Sequence, residues 1–148
     1  MPLNPDRGPA FFQALGREHL PETIGLRITE VSDGLLRAEF DIRKALLAPN
    51  GYLHAASVVG LADTAAGYAC FAHLPDGASS FTTIELKCNF IGTATSGTVE
   101  CTATAAHLGR TTQVWDAVVR SAGAARPLAL FRCTQSILWP RPEAATPS

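Results

Sequence analysis

The chain has 148 residues, of which 47% are hydrophobic and 17% charged, and its formal net charge is -1. This length and hydrophobic content suffice for one domain with a well-buried core that needs no metal or disulfide to fold. No basic run exceeds two residues. Because a nucleic-acid-binding protein normally carries a basic stripe, the composition argues against nucleic acid as a partner.

The first part of the chain predicts a short helix followed by two strands. The helix runs from Pro9 to Arg17, within an N-terminal helical extension of residues 1–20. The strands run from Leu26 to Val31 and from Leu35 to Asp41, with a turn at Ser32-Asp33-Gly34 between them. The N-terminal residues contain no apolar stretch typical of a signal peptide, so we expect the protein in the cytoplasm.

A long apolar helix is predicted from about Ala55 to His73, and Pro75-Asp76-Gly77 marks its end. The segment is long enough to be mistaken for a membrane span. However, Asp63 lies near its midpoint, and a charge at the centre of a lone span is costly. We therefore predict a buried helix of a soluble protein and no membrane partner.

After this helix the apolar residues recur at every second position, which is typical of a strand with one buried face. The apolar residues of the first such strand are Ile84, Leu86, Cys88 and Phe90. Three further strands are predicted at Thr98 to His107, Thr111 to Ser121 and Pro127 to Leu138. We predict that the four strands form a meander and that the Pro/Ala tail, residues 140–148, is disordered.

The order of these elements indicates one α+β domain that comprises residues 1–148. Strands linked by hairpins form an antiparallel sheet, and the apolar helix must lie against one face of that sheet. We predict five to six strands wrapped around one long central helix.

The four cysteines are interpreted as structural thiols of a reducing compartment rather than as disulfides or metal ligands. They follow no CxxC or Cys/His spacing, and each lies in an apolar or alternating segment, where a free thiol behaves as a small hydrophobe. They are Cys70, Cys88, Cys101 and Cys133.

Asp63 is the only charged residue between His54 and His73. The apolar residues around it indicate a helix that is covered on most sides, by the sheet and by a second subunit. An ionised carboxylate that is buried without partners is strongly destabilising, so Asp63 must be hydrogen-bonded, directed into a cleft or protonated. It is either a satisfied structural carboxylate or a general base or nucleophile whose protonation is tuned by desolvation.

The start of the long helix is a second candidate feature. The first backbone N–H groups, near Ala55 and Ala56, have no intrahelical partner and lie at the positive end of the helix dipole. They could therefore bind an oxyanion or polarise a carbonyl group. His54 is either part of this site or an ordinary loop histidine, and Asn50-Gly51 alone predicts a plain turn.

Two segments, 50–56 (NGYLHAA) and 60–67 (GLADTAAG), resemble the signature of phenylacetate-degradation-type (PaaI-like) hotdog thioesterases. That signature reads approximately N-x-x-G-x-x-H-G-G and is followed by a helix with L-x-D. Residues 83–90 resemble the family's strand after the helix, and residues 108–111 resemble its turn near the CoA end. The similarity extends over residues 25–138, most of the chain.

The resemblance implies a hotdog fold and hydrolysis of an acyl-CoA-type thioester to a free acid and the CoA thiol. Asp63 would then act as base or nucleophile, and the Ala55 N–H would polarise the carbonyl. His54 would shape the loop, and Thr83 would help to orient the water. No cofactor is implied apart from coenzyme A as part of the substrate, and no metal.

The resemblance also implies substrate contacts and an oligomer. The residues implied to bind substrate are Asn50, Gly51, Thr64 and Arg110. The active site of such enzymes lies at a dimer interface, where Asp63 of one subunit would face the helix start of the other. Homodimers, often paired into tetramers, are therefore expected.

The chain departs from the family signature at two places. His54-Ala55-Ala56 stands for H-G-G, and Ala48 occupies the position of the usual Asn. Alternatives to hydrolysis are a non-catalytic acyl-CoA-binding protein, a hotdog dehydratase or hydratase, and a purely structural oligomer. The sequence leaves open the acyl group and the choice between direct attack by Asp63 and activation of water.

Overall fold

The structure is a computed structural model that describes residues 1–141. Most of the tail predicted to be disordered, residues 142–148, lies outside the described residues. In chain order the elements are α1 (Pro9–Leu15), α2 (Leu20–Thr23), β1 (Arg27–Ser32), β2 (Leu35–Asp41), a 3-10 turn (Lys44–Leu46), α3 (Ala55–Ala72), β3 (Ser80–Phe90), β4 (Thr98–Leu108), β5 (Thr112–Ser121) and β6 (Pro127–Leu138). The short helix α2 and the 3-10 turn were not predicted.

The six strands form one antiparallel sheet in the order β1-β2-β4-β5-β6-β3. Helix α3 packs against one face of it, which confirms the α+β fold with a wrapped helix. The predicted four-strand meander is wrong for its first member, because β3 pairs with β6 and not with β4. Tight turns link β4 to β5 and β5 to β6, whereas residues 91–97 form a longer connection that carries the chain from β3 across to β4.

The core lies between α3 and the sheet. On the helix the fully buried side chains are mostly small, so the helix can approach the sheet closely; they are Leu61, Ala62, Ala65, Ala66, Ala69, Cys70 and Ala72. The sheet contributes the larger groups, among them Leu36, Phe40 and Trp115, all fully buried. Burial of each large apolar side chain contributes roughly 1.5–3 kcal/mol. Although α3 is long and apolar enough to span a membrane, 56% of it is buried inside the fold, as predicted for a core helix.

The apolar side of β3 is not the buried face that the alternation predicts. A bulge between Thr83 and Glu85 shifts the register against β6. Because a bulge adds one residue to one strand, side chains change sides of the sheet there. Ile84 is the bulged residue and is 63% exposed, whereas Phe90 lies opposite the buried Ala129 of β6 and is still 48% exposed near the end of the strand. Only Cys88 of the predicted row packs against the core, and it is half-buried.

The opposite edge of the sheet, β1, has a different character. Arg27 forms ion pairs across to Glu39 and Asp41 of β2, each at 2.9 Å, and Arg37 of β2 pairs with Glu30 at 3.3 Å. A register irregularity between residues 28 and 30 also interrupts the pairing. Charged side chains and bulges discourage another strand from pairing with an edge. The sheet thus has a short edge strand with cross-strand ion pairs, β1, of 6 residues, and a longer edge strand, β3, of 11 residues. Strand β3 also has a bulge and charges, but it exposes the apolar side chains of Ile84, Leu86 and Phe90.

Candidate active site

Asp63 lies on the side of α3 that faces β3, and it is partly buried. Within residues 1–141 no cation lies within ion-pair distance of its carboxylate. Burial raises the pKa of the Asp63 carboxyl above its ordinary value, and the Thr83 hydroxyl lowers it insofar as it donates to the carboxylate. A carboxylate in this position is neither sealed in the core nor free in solvent, so it is suited to exchange a proton with a bound molecule.

Thr83 is the side chain that the sheet brings to Asp63. Its Oγ1 lies 3.5 Å from Asp63 Oδ1 and 2.8 Å from Gln135 Oε1. Gln135 is the direct cross-strand partner of Thr83 and is fully buried. Sequence reasoning missed Gln135. The signal was available, since it occupies the buried phase of β6, between Cys133 and Ile137, where an apolar residue is expected.

The start of α3 is formed by His54 as N-cap residue. Its Nδ1 accepts a hydrogen bond from the Ala56 N–H at 2.9 Å, so the imidazole satisfies one of the free donors of the first turn. The Ser57 hydroxyl donates to the carbonyl of Leu46 at 2.8 Å and anchors the helix start to the 3-10 turn. Among the described residues, no acceptor is bound by the Ala55 N–H. This donor is therefore available to a ligand.

The loop before α3 is a turn whose polar groups bond to one another. Asn50 Oδ1 accepts from the Tyr52 N–H at 3.2 Å, and the Ala48 N–H donates to the Tyr52 carbonyl at 2.7 Å. Gly51 has a φ of +88°, which glycine adopts without strain. Asn50 and Gly51 thus build the turn, and both are exposed. Their predicted contact with substrate stays a prediction.

The other two residues predicted to bind substrate lie apart from each other. Thr64 follows Asp63 on the partly exposed side of α3. Arg110 lies in the turn between β4 and β5, where its guanidinium stacks over the Trp139 ring at 4.3 Å from the centroid. The contact holds the face of the guanidinium against the ring and leaves its N–H donors available to a ligand.

The structure brings the candidate residues together in two groups and not in one. Asp63 and Thr83 form the first group, and His54 and Ala55 form the second. Asp63 follows Ala55 by eight positions in one helix, which corresponds to about 12 Å along the axis. A single carbonyl group cannot contact both the Asp63 carboxylate and the Ala55 N–H of the same chain. The two groups can serve one reaction only if they come from different subunits.

A small cavity of about 90 Å³ lies beside the helix start. It is lined mainly by apolar groups, among them Leu53, Ala55, Val58 and Leu128. The Ala55 backbone therefore borders a slot that accepts an apolar group. Within residues 1–141 no cluster of three or more His, Cys, Asp or Glu side chains is arranged to hold a metal ion.

Comparison with known proteins places this arrangement in a family. The family model described as the thioesterase superfamily matches residues 50–127. This range includes both groups of candidate residues but not Gln135. The chain belongs to the thioesterase superfamily. The chain is also similar to the 1,4-dihydroxy-2-naphthoyl-CoA hydrolase of Listeria monocytogenes, which is 30% identical over 118 residues, 80% of this chain and 94% of the relative.

Solved structures of the thioesterase superfamily share the fold. A mutant of thioesterase PA1618 from Pseudomonas aeruginosa superposes with a TM-score of 0.83 at 26% identity and covers 88% of this chain and 93% of its own. The PaaI protein from the phenylacetic acid degradation operon of E. coli superposes with a TM-score of 0.76 at 23% identity over 85% of this chain and 89% of its own. The resemblance to PaaI-like hotdog thioesterases is thereby confirmed at the level of fold and superfamily.

Proposed function

We propose that this thioesterase hydrolyses an acyl-CoA thioester to a free acid and CoA, with Asp63 as the catalytic carboxylate. The observation that carries the proposal is a partly buried Asp63 that has no cationic partner among the described residues and lies beside the Thr83 hydroxyl. The name of the Listeria monocytogenes relative, a CoA thioester hydrolase, supports coenzyme A as the leaving group. The reaction requires no cofactor, and we expect it in the cytoplasm.

The chemistry follows from the two groups. Desolvation keeps Asp63 basic, so it can take a proton from water as the water oxygen attacks the thioester carbon. The carbonyl oxygen gains negative charge and is stabilised by the Ala55 N–H. When the C–S bond breaks, the thiolate receives the proton from Asp63. In the alternative route Asp63 attacks the carbonyl carbon itself, the C–S bond breaks and the CoA thiolate leaves and takes a proton from solvent. Water then hydrolyses the resulting anhydride to the free acid and the Asp63 carboxylate.

We further propose that the active site is completed by a second copy of the chain. The axial separation of Asp63 from Ala55, about 12 Å, prevents both from reaching one carbonyl within a subunit. The exposed apolar side chains of edge strand β3, Ile84, Leu86 and Phe90, favour pairing of this edge with its equivalent in another subunit. A homodimer with two shared sites satisfies both observations, and two such dimers then associate through other faces.

The first experiment measures release of free thiol from a panel of aromatic, short and medium acyl-CoAs. We expect Asp63→Asn to lose about 10²- to 10⁴-fold in kcat with the fold retained, while Asp76→Asn, an exposed carboxylate on a loop, behaves as wild type. Saturable CoA binding without thiol release would instead indicate a binding protein. A change in enoyl absorbance would indicate a hydratase.

The second experiment tests whether the site is shared. Asp63→Asn and Ala55→Pro subunits are unfolded together and co-refolded. Random pairing makes half of the dimers mixed, and each mixed dimer has one intact site, so the mixture should recover roughly a quarter of wild-type activity. If both groups acted within one subunit, every site would keep one defect, and the mixture would be no more active than its parents.

A further inference from the structure

We propose that Gln135 is a positioning residue that turns the Thr83 hydroxyl proton away from Asp63, so that the carboxyl faces an oxygen lone pair instead of a donor. The inference rests on the proposed role of Asp63 and deepens it, because it concerns how the base is tuned. It is carried by three side chains, one each from α3, β3 and β6.

The geometry decides where the Thr83 proton points. A hydroxyl has one hydrogen to donate. The Gln135 amide oxygen lies 2.8 Å from Thr83 Oγ1, whereas the Asp63 carboxylate lies 3.5 Å away. Because hydrogen bonds between oxygens are usually 2.5–3.0 Å long, the proton goes to Gln135.

The other end of the Gln135 amide contacts the Cys133 side chain on the same strand. Its Nε2 donates to the Cys133 sulfur at 3.2 Å, which leaves Oε1 directed at Thr83. The side chain is fully buried, and its backbone is paired directly opposite Thr83. The bulge that follows Thr83 ends this register at the next residue, so Thr83 is held against both the helix and Gln135.

This arrangement favours the proton-accepting task of Asp63. An ionised carboxylate opposite a lone pair receives no hydrogen bond and is destabilised, whereas a protonated carboxyl can donate its own hydrogen to Thr83 Oγ1. The chain of donors then runs from Asp63 through Thr83 to Gln135. Gln135 therefore stabilises the state that exists after the base has taken a proton from water.

No other charged group competes for control of Asp63 among the described residues. The titratable groups in the packed interior include the thiols of Cys70, Cys101 and Cys133, and burial raises the pKa of each to about 12. These thiols are neutral at any assay pH. The buried His73 ring lies just after α3 and bonds to the Gly34 N–H and the Ala69 carbonyl, not to Asp63. The charged side chains on the neighbouring strands lie toward solvent. They are Glu85 and Lys87 on β3, Arg132 on β6, and Asp116 on β5, which forms an ion pair with Arg132.

The test compares the titration of Asp63 in wild type with that in Gln135→Met, which keeps the length of the side chain but removes the acceptor. The Asp63 carboxyl is followed by carbon-13 NMR, assigned by its absence in Asp63→Asn, and the acid limb of the kcat/KM profile for acyl-CoA is measured in parallel. Once freed, the Thr83 hydroxyl donates to the carboxylate. We expect both readouts to move to lower pH by about one unit, the effect of one hydrogen bond added to a carboxylate.

Thr83→Val provides the control for a merely structural effect. In that background Gln135→Met should no longer move the Asp63 titration, because there is no hydroxyl to redirect. Thr83→Val alone should also move the titration to lower pH, because the protonated carboxyl loses the oxygen to which it donates. This variant decides the question even if Gln135→Met does not fold. The proposal would be overturned if the Asp63 titration moved to higher pH or stayed in place in Thr83→Val or in Gln135→Met. It would also be overturned if Gln135→Met caused the same shift with and without Thr83→Val. If the wild-type protein released no thiol, the proposed function would be wrong. The NMR titration would still show whether Gln135 controls the protonation of Asp63.

Discussion

Replacement of Ala55 by proline separates the proposed oxyanion role of the helix start from its structural role. Proline removes one backbone N–H. At position 55 the N–H that is removed binds no acceptor among the described residues. Ala55 is the first helical residue, a position at which proline is tolerated. His54 before it has φ -67° and ψ 138°, the extended conformation that a residue before proline prefers.

The expected magnitudes differ widely between catalysis and stability. The free energy of unfolding should change by less than about 1 kcal/mol, because no hydrogen bond of the fold is lost and proline restricts the unfolded chain. By contrast, loss of one oxyanion donor lowers kcat by about 10²- to 10³-fold, which corresponds to roughly 2.7–4 kcal/mol of transition-state stabilisation. A loss of transition-state stabilisation that greatly exceeds the change in the free energy of unfolding identifies the N–H as a catalytic donor.

The assay is steady-state thiol release together with urea unfolding of the same preparations. Ala55→Gly is the matched control, since it alters the same residue but keeps the N–H, and it should retain wild-type kcat within a few-fold. If Ala55→Pro hydrolyses acyl-CoA as fast as wild type, the helix start does not stabilise the oxyanion. If Ala55→Gly is as slow as Ala55→Pro, the side chain and not the N–H is responsible.

Three further predictions follow from the packing around Asp63 and β3. Because burial raises the pKa of Asp63, the ionised form of this side chain destabilises the fold at pH 7. Asp63→Asn should therefore raise the midpoint of urea unfolding at pH 7. This increase in the midpoint should vanish as the pH falls below the ordinary carboxyl pKa of about 3.9, where Asp63 is protonated in both states. At Gly67 an added Cβ would lie 3.0 Å from the Phe81 ring, so Gly67→Ala should lower the free energy of unfolding by about 1–3 kcal/mol, and an unchanged midpoint would show that the ring moves freely. Ile84→Lys on the exposed edge should convert the proposed dimer to a less active monomer in sedimentation experiments; a dimer that persists would place the interface elsewhere.

Much of the fold could be predicted because the determining signals are local. The bounds of β2 and β6 agree with the prediction, and α3 ends one residue earlier than expected. Its apolar run with a single charge is a pattern that only a covered helix satisfies. The position of β3 could not be predicted in this way, because strand order depends on which edge remains free after the tight turns have formed. The bulge beside Thr83 also escaped prediction, since an extra residue leaves no mark on an otherwise alternating pattern.

The candidate site was predicted unevenly for a similar reason. Asp63 stands out in sequence because its chemistry contradicts its surroundings, and the structure brings Thr83 to it as expected. Gln135 lies 72 positions after Asp63 in the chain, and only the pairing of β6 with β3 places it at the site. By contrast, the separation of Asp63 from Ala55 follows from the sequence, because both residues lie in the predicted helix and its rise per residue is known.

The unequal edges of the sheet have a consequence for how large an assembly can grow. If two chains join β3 to β3 about a twofold axis, two six-stranded sheets merge, and the only ends left are the β1 strands with their cross-strand ion pairs. Those ends offer no template for a third chain, so sheet extension terminates after a single joining event. A sheet with an unprotected edge strand at both ends could instead add chains without limit and form fibres.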